Sequence, residues 1–224
     1  ELDLFGTFQN LLHKYPTAFC SLWFHPKVGC WMGATPEQLV KIEGQTVKTV
    51  ALAGTQKQDL PQSVVWTNKE VQEQQFVTDY IVHQLSQELS QISISKPYTF
   101  QAGTIFHIKT DIEATIKSLQ SYPTIVNLLH PTPAVCGLPK IESKNFILEN
   151  EGYDRSFYSG FVGEINLLSE GLNLFVNLRC MQIFEKSIAL YIGFGITKES
   201  NPDDEFIETV NKSMTMKNIL KIKQ

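Results

Sequence analysis

Residues 159–197 read SGFVGEINLLSEGLNLFVNLRCMQIFEKSIALYIGFGIT. Three β-rich stretches lie in this run: SGFVGEINLL (159–168), LNLFVNLRCMQIFE (172–185) and SIALYIGFGIT (187–197), parted by short polar turns. Strands at hairpin spacing pair most readily with their sequence neighbours, so the run predicts a mostly antiparallel sheet. Upstream, AFCSLWFHP, GCWMGATP, QLVKIEG and TVKTVALAG repeat the pattern from residue 18 to residue 54. Between these β-rich ends the character changes. Val77, Tyr80, Ile81, Leu85 and Leu89 recur at helical spacing and predict a helix over 68–90. SKPYTFQAGTIFHIKTDIEA (95–114) returns to strand composition, ATIKSLQSYP (114–123) reads as a short helix, and SKNFILENEG (143–152) as another with its exit. The last element opens with an Asn201 N-cap, Pro202 at the first helical position and acids in the first turn, and is expected to run to the C-terminus. The fold class is α+β, with large, mostly antiparallel sheets packed with helices. No repeat or low-complexity linker interrupts the chain, so one domain over 1–224 is expected.

Bulk properties exclude several functions. The 224 residues are 42% hydrophobic and 19% charged, ordinary for a globular protein with one sizeable core. A formal net charge of −4, with no basic-aromatic cluster, offers no attraction to nucleic acid or an anionic membrane. No apolar run has the length of a membrane span, and the first twenty residues lack a signal-peptide pattern. Cys20, Cys30, Cys136 and Cys180 show no C-x-x-C spacing, which argues against zinc and thioredoxin-like chemistry. Scattered thiols point to a reducing compartment, and a cytoplasmic monomer is expected.

Several residues look chemically out of place. Only two of the nineteen basic residues are arginine, Arg155 in YDRSFYSG and Arg179 in LFVNLRCMQ, both in apolar or aromatic company. On an alternating strand Arg179 would share a side with Phe175 and Asn177. A guanidinium in a sheet core needs an anion, either an internal carboxylate or one on a ligand. Glu73 falls on the helix face of Val77 and Tyr80, where an unpaired carboxylate is costly. Glu205, Glu208 and Lys212 stand at i, i+3 and i+7, on one side of the last helix. Carboxylates from two helices can converge on Mg²⁺, which takes few protein oxygens; solvated helix charges are the plainer reading. Glu37 in GATPEQL is either a positioned acid or a turn residue. LAGT (52–55) and YIGFGIT (191–197) place glycines where backbone N–H groups can approach an anion. His107 reads more readily as a satisfied core histidine. The loop LLHPTPAVCGLPK (128–140) is stiffened by three prolines, with Gly137 able to take φ > 0.

Taken in order, GATPEQL, LAGT, KEVQEQQFV, IFHIKT, HPTPAVCGLP, RSFYSGFVGEI, VNLRCMQI, YIGFGIT and NPDDEFIETVNKS resemble the chorismate-utilising enzymes over essentially the whole chain. Within that family HPTPAVCGLP looks most like isochorismate synthases. The resemblance implies chorismate as substrate and Mg²⁺ as cofactor. It makes Glu37 the acid that protonates the departing C4 hydroxyl while water adds at C2. It gives Glu73 and Glu208 to the metal, with Glu205 supporting them. Arg179, Tyr158, Gly193 and Lys212 would hold the enolpyruvyl carboxylate; Gly54, Thr55, His107 and Ala134 would line the rest of the pocket. Gln74 departs from the family pattern, where a histidine is common, and Phe194 stands where a small residue is usual. The lysine that activates water in the family would lie farther ahead of Glu37 than this chain extends, so the resemblance implies the C-terminal portion of a longer enzyme. A non-catalytic chorismate-binding module and an amine-adding relative, such as anthranilate or aminodeoxychorismate synthase, are the alternatives. Menaquinone, siderophore and salicylate routes all remain open downstream.

Overall fold

The computed structural model describes residues 1–56, 63–102, 105–116, 122–166, 171–196, 198 and 200–223, without the side chains of residues 55, 102 and 105. Helix α1 (Leu4–Lys14) precedes strands β1 (Phe19–His25), β2 (Gly29–Thr35), β3 (Gln38–Glu43) and β4 (Thr46–Gln56). Helix α2 (Asn68–Ser86) leads into β5 (Ser90–Ile94), β6 (Tyr98–Ala102) and β7 (Ile105–Thr115). Helices α3 (Tyr122–Leu129), α4 (Pro133–Cys136) and α5 (Lys140–Asn150) follow. Strands β8 (Phe161–Asn166), β9 (Gly171–Val176), β10 (Cys180–Ile183) and β11 (Ile188–Tyr191) come before the last helix, α6 (Pro202–Lys217). Among the described residues no helix is long and apolar enough to cross a membrane.

The strands form two sheets, β1-β2-β10-β11 and a seven-stranded sheet ordered β5-β7-β4-β3-β9-β8, with β6 added to β7. The first is antiparallel throughout, as are the pairings of β4 with β3 and of β7 with β4, β5 and β6. The expected mixture of helices and large antiparallel sheets is therefore present. The chain divides into two compact units: Glu1–Glu37, Val135–Val162 and Phe175–Gln224 make the first, Gln38–Ala134 and Gly163–Leu174 the second.

In the first unit, strand alternation gives the four-stranded sheet two distinct faces. Met32, Ala34 and Met181 point to one face and pack with Leu11 of α1, Met216 of α6 and Ile219. Trp31 and Cys180 point to the other, where Tyr158 joins them. Helix α6 starts as its sequence predicts: the Asn201 side-chain oxygen accepts the N–H groups of Asp203 (2.9 Å) and Asp204 (3.4 Å), and Pro202 follows. It ends at Lys217, short of the C-terminus.

In the second unit, α2 packs on β4 and β7. Thr67 and Glu70 close a capping box at its start. Its buried line is Gln74, Thr78, Ile81 and Leu85, one step round from the expected Val77-Tyr80 line. Two polar residues can occupy it because they bond each other and the sheet. Gln74 Nε2 donates to Thr78 Oγ1 at 2.9 Å and to Thr110 Oγ1 on β7 at 2.6 Å. The helix stops at Ser86, so Leu89 lies outside it. Of the helix expected over 114–123, Ala114 and Thr115 belong instead to β7, while Tyr122 and Pro123 open the described helix α3. Residues 117–121 of that stretch lie outside the described residues.

The stretch 172–185 is not one strand. It supplies β9 to the larger sheet and β10 to the smaller, with Asn177–Arg179 between them. Asn177 is buried and bonds away from both ladders. Its N–H donates to Gly160 O (2.8 Å), its carbonyl accepts Ser159 N–H (3.0 Å), and its side-chain amide donates to Phe157 O (2.8 Å). Arg179 then turns the chain with φ of 47°. Its side chain therefore does not alternate with Phe175 and Asn177 as a strand residue would.

Candidate active site

Glu37 and Arg179 each stand just off a strand end, and the backbone ties their segments side by side. Ala34 N–H donates to Arg179 O at 3.2 Å and Val176 N–H to Glu37 O at 2.9 Å. The Thr35 hydroxyl donates to Val176 O at 2.5 Å and accepts Glu37 N–H at 3.3 Å. The half-buried Arg179 guanidinium makes no hydrogen bond or ion pair with the described residues. Burial lowers its pKa, while the nearby Tyr15 and Glu37 groups oppose that shift. An arginine keeps its charge in such a setting, and its planar fork suits a carboxylate brought to it.

Arg155 behaves differently. Its Nε donates to Glu151 Oε2 at 2.6 Å and its Nη2 to Glu151 Oε1, while Nη1 reaches Val135 O at 3.0 Å and Ser159 Oγ at 3.3 Å. The guanidinium also lies 5.9 Å from the Tyr158 ring centre. Arg155 is thus an internal ion-pair residue that fixes the loop bearing Tyr158.

Tyr158, Gly193 and Lys212 come together in the same unit. Tyr158 is 8% exposed, and burial pushes its pKa up to about 12, so its hydroxyl stays protonated at neutral pH. A Cβ placed on Gly193 would overlap that hydroxyl, so only glycine lets the two approach. Lys212 Nζ donates to Gly193 O at 3.1 Å and pairs with Glu208 at 2.5 Å. Glu205 is half-buried one turn before Glu208 on α6.

The second unit holds Gly54, Thr55, His107 and Glu73. Gly54 takes φ of 69°, which favours glycine. Its carbonyl lies 2.9 Å from His107 Nδ1. A carbonyl only accepts, so Nδ1 is the donor in this contact. The Thr55 side chain lies outside the described residues. Glu73 is not buried on an apolar face as the helical spacing predicts. Its side chain is 42% exposed and pairs with Lys69 at 3.8 Å, because the inner line of α2 belongs to Gln74. Ala134 is exposed on the single turn α4, and Gly137 takes φ of 91° in the same proline-rich segment.

Glu73, Glu205 and Glu208 offer hard carboxylate oxygens, the donor chemistry that suits Mg²⁺. Among the described residues no three His, Cys, Asp or Glu side chains stand together as a metal site. Sequence reasoning missed Asn177, Gln74 and the structural part of Arg155. A polar residue inside the apolar run VNL is the signal that marks Asn177; EQQF holds no such signal for Gln74.

The family model described as "Chorismate binding enzyme" matches residues 1–221. The chain belongs to the chorismate binding enzyme family. The chain is 30% identical over 200 residues to isochorismate synthase EntC of Escherichia coli (strain K12), covering 85% of the chain and 51% of the relative. It is 32% identical over 199 residues to isochorismate synthase DhbC of Bacillus subtilis (strain 168), covering 83% of the chain and 49% of the relative. The solved structure of DhbC from Bacillus anthracis superposes with a TM-score of 0.85 at 27% identity, covering 97% of this chain and 62% of that one. The chain therefore spans about half the length of the curated relatives it matches.

Proposed function

We propose that this chain is the chorismate-binding part of a Mg²⁺-dependent isochorismate synthase. Water adds at C2 of chorismate, the C4 hydroxyl departs as water, and the ring double bonds shift to give isochorismate. The observation that carries this reading is Arg179: a half-buried guanidinium without an ion pair among the described residues, on a segment bonded to that of Glu37. Chorismate brings a carboxylate for the arginine and a hydroxyl for the acid. The isochorismate synthase relatives at 30% and 32% identity support the same choice of reaction.

In this reading Arg179, Tyr158, the backbone at Gly193 and Lys212 bind the enolpyruvyl carboxylate. Glu37 gives its proton to the leaving C4 hydroxyl. His107, held by Gly54 O, lines the pocket with Gly54, Thr55 and Ala134. Glu73 and Glu208 would hold Mg²⁺, supported by Glu205, and the metal would supply charge neutralisation at the ring carboxylate. Lys212 then exchanges its contact with Glu208 for the substrate.

The test is product analysis on the full-length protein with chorismate and Mg²⁺, with and without ammonia. Isochorismate under both conditions is the expected result; an aminated or aromatic amine product with ammonia would overturn it. Glu73→Gln and Glu208→Gln are each expected to lose Mg²⁺-dependent chorismate affinity while remaining folded, because an amide is a weaker ligand for a hard cation. Calorimetric titration reads this, and unchanged affinity in either variant removes that residue from the metal site.

A further inference from the structure

The face of the small sheet opposite α1 carries a row of stacked rings, of which the proposed function uses Tyr158 alone. Trp23 of β1 pairs in register with Trp31 of β2, and their rings stack at 5.9 Å and 5°. Trp31 reaches past β10 to stack on Tyr191 of β11 at 5.1 Å and 25°. Two small residues on this face, Gly33 and Cys180, make that diagonal reach available: a Cβ on Gly33 would lie 3.0 Å from Cys180 Cβ. Tyr191 in turn stacks on Tyr158 at 5.7 Å and 28°. Phe157 closes the row edge-on against both tryptophans, at 5.3 and 5.7 Å.

The row is anchored by polar contacts at its edge. Tyr191 donates its hydroxyl proton to Gln182 Oε1 at 3.2 Å, Gln182 Nε2 donates to Val28 O at 3.0 Å, and Trp31 Nε1 donates to the same carbonyl at 3.2 Å. Its far end is the Tyr158 hydroxyl against Gly193, whose carbonyl accepts from Lys212. A phenol on a flexible loop would lose orientational freedom on binding an anion. A phenol stacked on Tyr191, with the Arg155 guanidinium also beside its ring, has already been oriented.

We infer that Tyr191 is a positioning residue, holding the Tyr158 ring so that its hydroxyl stays at Gly193 and is presented to the carboxylate. The role in carboxylate recognition rests on the function proposed above; the positioning of Tyr158 does not. The ring of Tyr191 does this work through stacking, and its hydroxyl is secondary.

The experiment uses the full-length protein with 3-fluorotyrosine in place of tyrosine, the Tyr158 fluorine signal being assigned by its loss in Tyr158→Phe. Tyr191→Leu should shift and sharpen that signal as ring flips accelerate, and Tyr191→Phe should leave it near its original position. Chorismate affinity should weaken about tenfold in Tyr191→Leu and change less than about twofold in Tyr191→Phe. In the Tyr158→Phe background, Tyr191→Leu should add no further loss. An unmoved fluorine signal overturns the inference. So does an undiminished loss of affinity in the Tyr158→Phe background, which would make Tyr191 act independently of Tyr158. If the unaltered protein binds no chorismate, the proposed function fails, while the fluorine signal still decides whether Tyr191 holds Tyr158.

Discussion

Arg155 and Arg179, the only arginines in the chain, occupy similar company and do different things. Arg155 forks onto Glu151 and braces Val135 O of α4 and the Ser159 hydroxyl, so its charge is matched inside the protein. Arg179 has no such match among the described residues, and its segment is bonded to that of Glu37. Arg179→Lys keeps the charge but loses the two-pronged geometry. It is expected to weaken chorismate binding by about 1–3 kcal/mol with little change in melting behaviour. Calorimetry and thermal melts separate the outcomes: intact affinity with lowered stability would make Arg179 a structural residue. Tyr158 and Cys180 give a second prediction. Burial pushes both up to about 12. An unfolded tyrosine ionises near 10 and an unfolded cysteine near 8.5. The unfolded chain therefore loses these protons first as pH rises. Their contribution to stability is complete below the unfolded values and is lost as pH climbs from about 9 towards about 12. Urea melts across that range should show falling stability, and Tyr158→Phe should flatten the part above about pH 10. An unaltered slope in the variant would mean that Tyr158 does not lie buried in the folded state.

At the scale of elements, the start of α6 and the runs of β-branched and aromatic residues were readable in the sequence. The Asn201-Pro202 start of α6 and the four strands from β1 to β4 stand where local chemistry puts them. Elements decided by long-range hydrogen bonds were not. Nothing local in LNLFVNLRCMQIFE shows that Asn177 will bond Phe157, Ser159 and Gly160 and end one strand before the next begins. Helix α1 has a good cap in Asp3, yet its short apolar stripe is overshadowed by the strand signals after it. Among candidate site residues, the family resemblance grouped Tyr158, Gly193 and Lys212, which do stand together in the first unit, because motif order carries spatial information that periodicity lacks. Glu73 was misread because helical spacing treats Gln74 as polar and outward. In fact Gln74 is buried and pins α2 to β7 through Thr110. Gln74→Leu removes both side-chain bonds and leaves the buried Thr78 and Thr110 hydroxyls without that donor. A loss of about 1–3 kcal/mol in urea unfolding is expected. A neutral effect would show that a well-packed apolar side chain serves α2 equally well.

For the whole molecule, the decisive matter is which residue can act as base opposite Glu37. A positioned acid or base contributes about 10²–10⁴-fold to rate, so an enzyme with only one of the pair is nearly silent. Two lysines precede Glu37. Lys14 is the exposed last residue of α1. Lys27 is exposed in the turn between β1 and β2, where its N–H donates to His25 Nδ1 at 3.2 Å. Neither stands on a strand. The chain spans about half the length of the curated relatives it matches, and under the proposed function the base would belong to the part of them it does not span. Residues 1–224 alone are therefore expected to bind chorismate but convert it negligibly, even with saturating Mg²⁺. A polypeptide extended to the length of those relatives should be active, and replacing the lysine of the added portion with alanine should silence it by about 10²–10⁴-fold. Single-turnover product analysis on both polypeptides checks this. Robust conversion by residues 1–224 would place the base within this chain, and Lys14→Ala and Lys27→Ala would then be the first variants to examine.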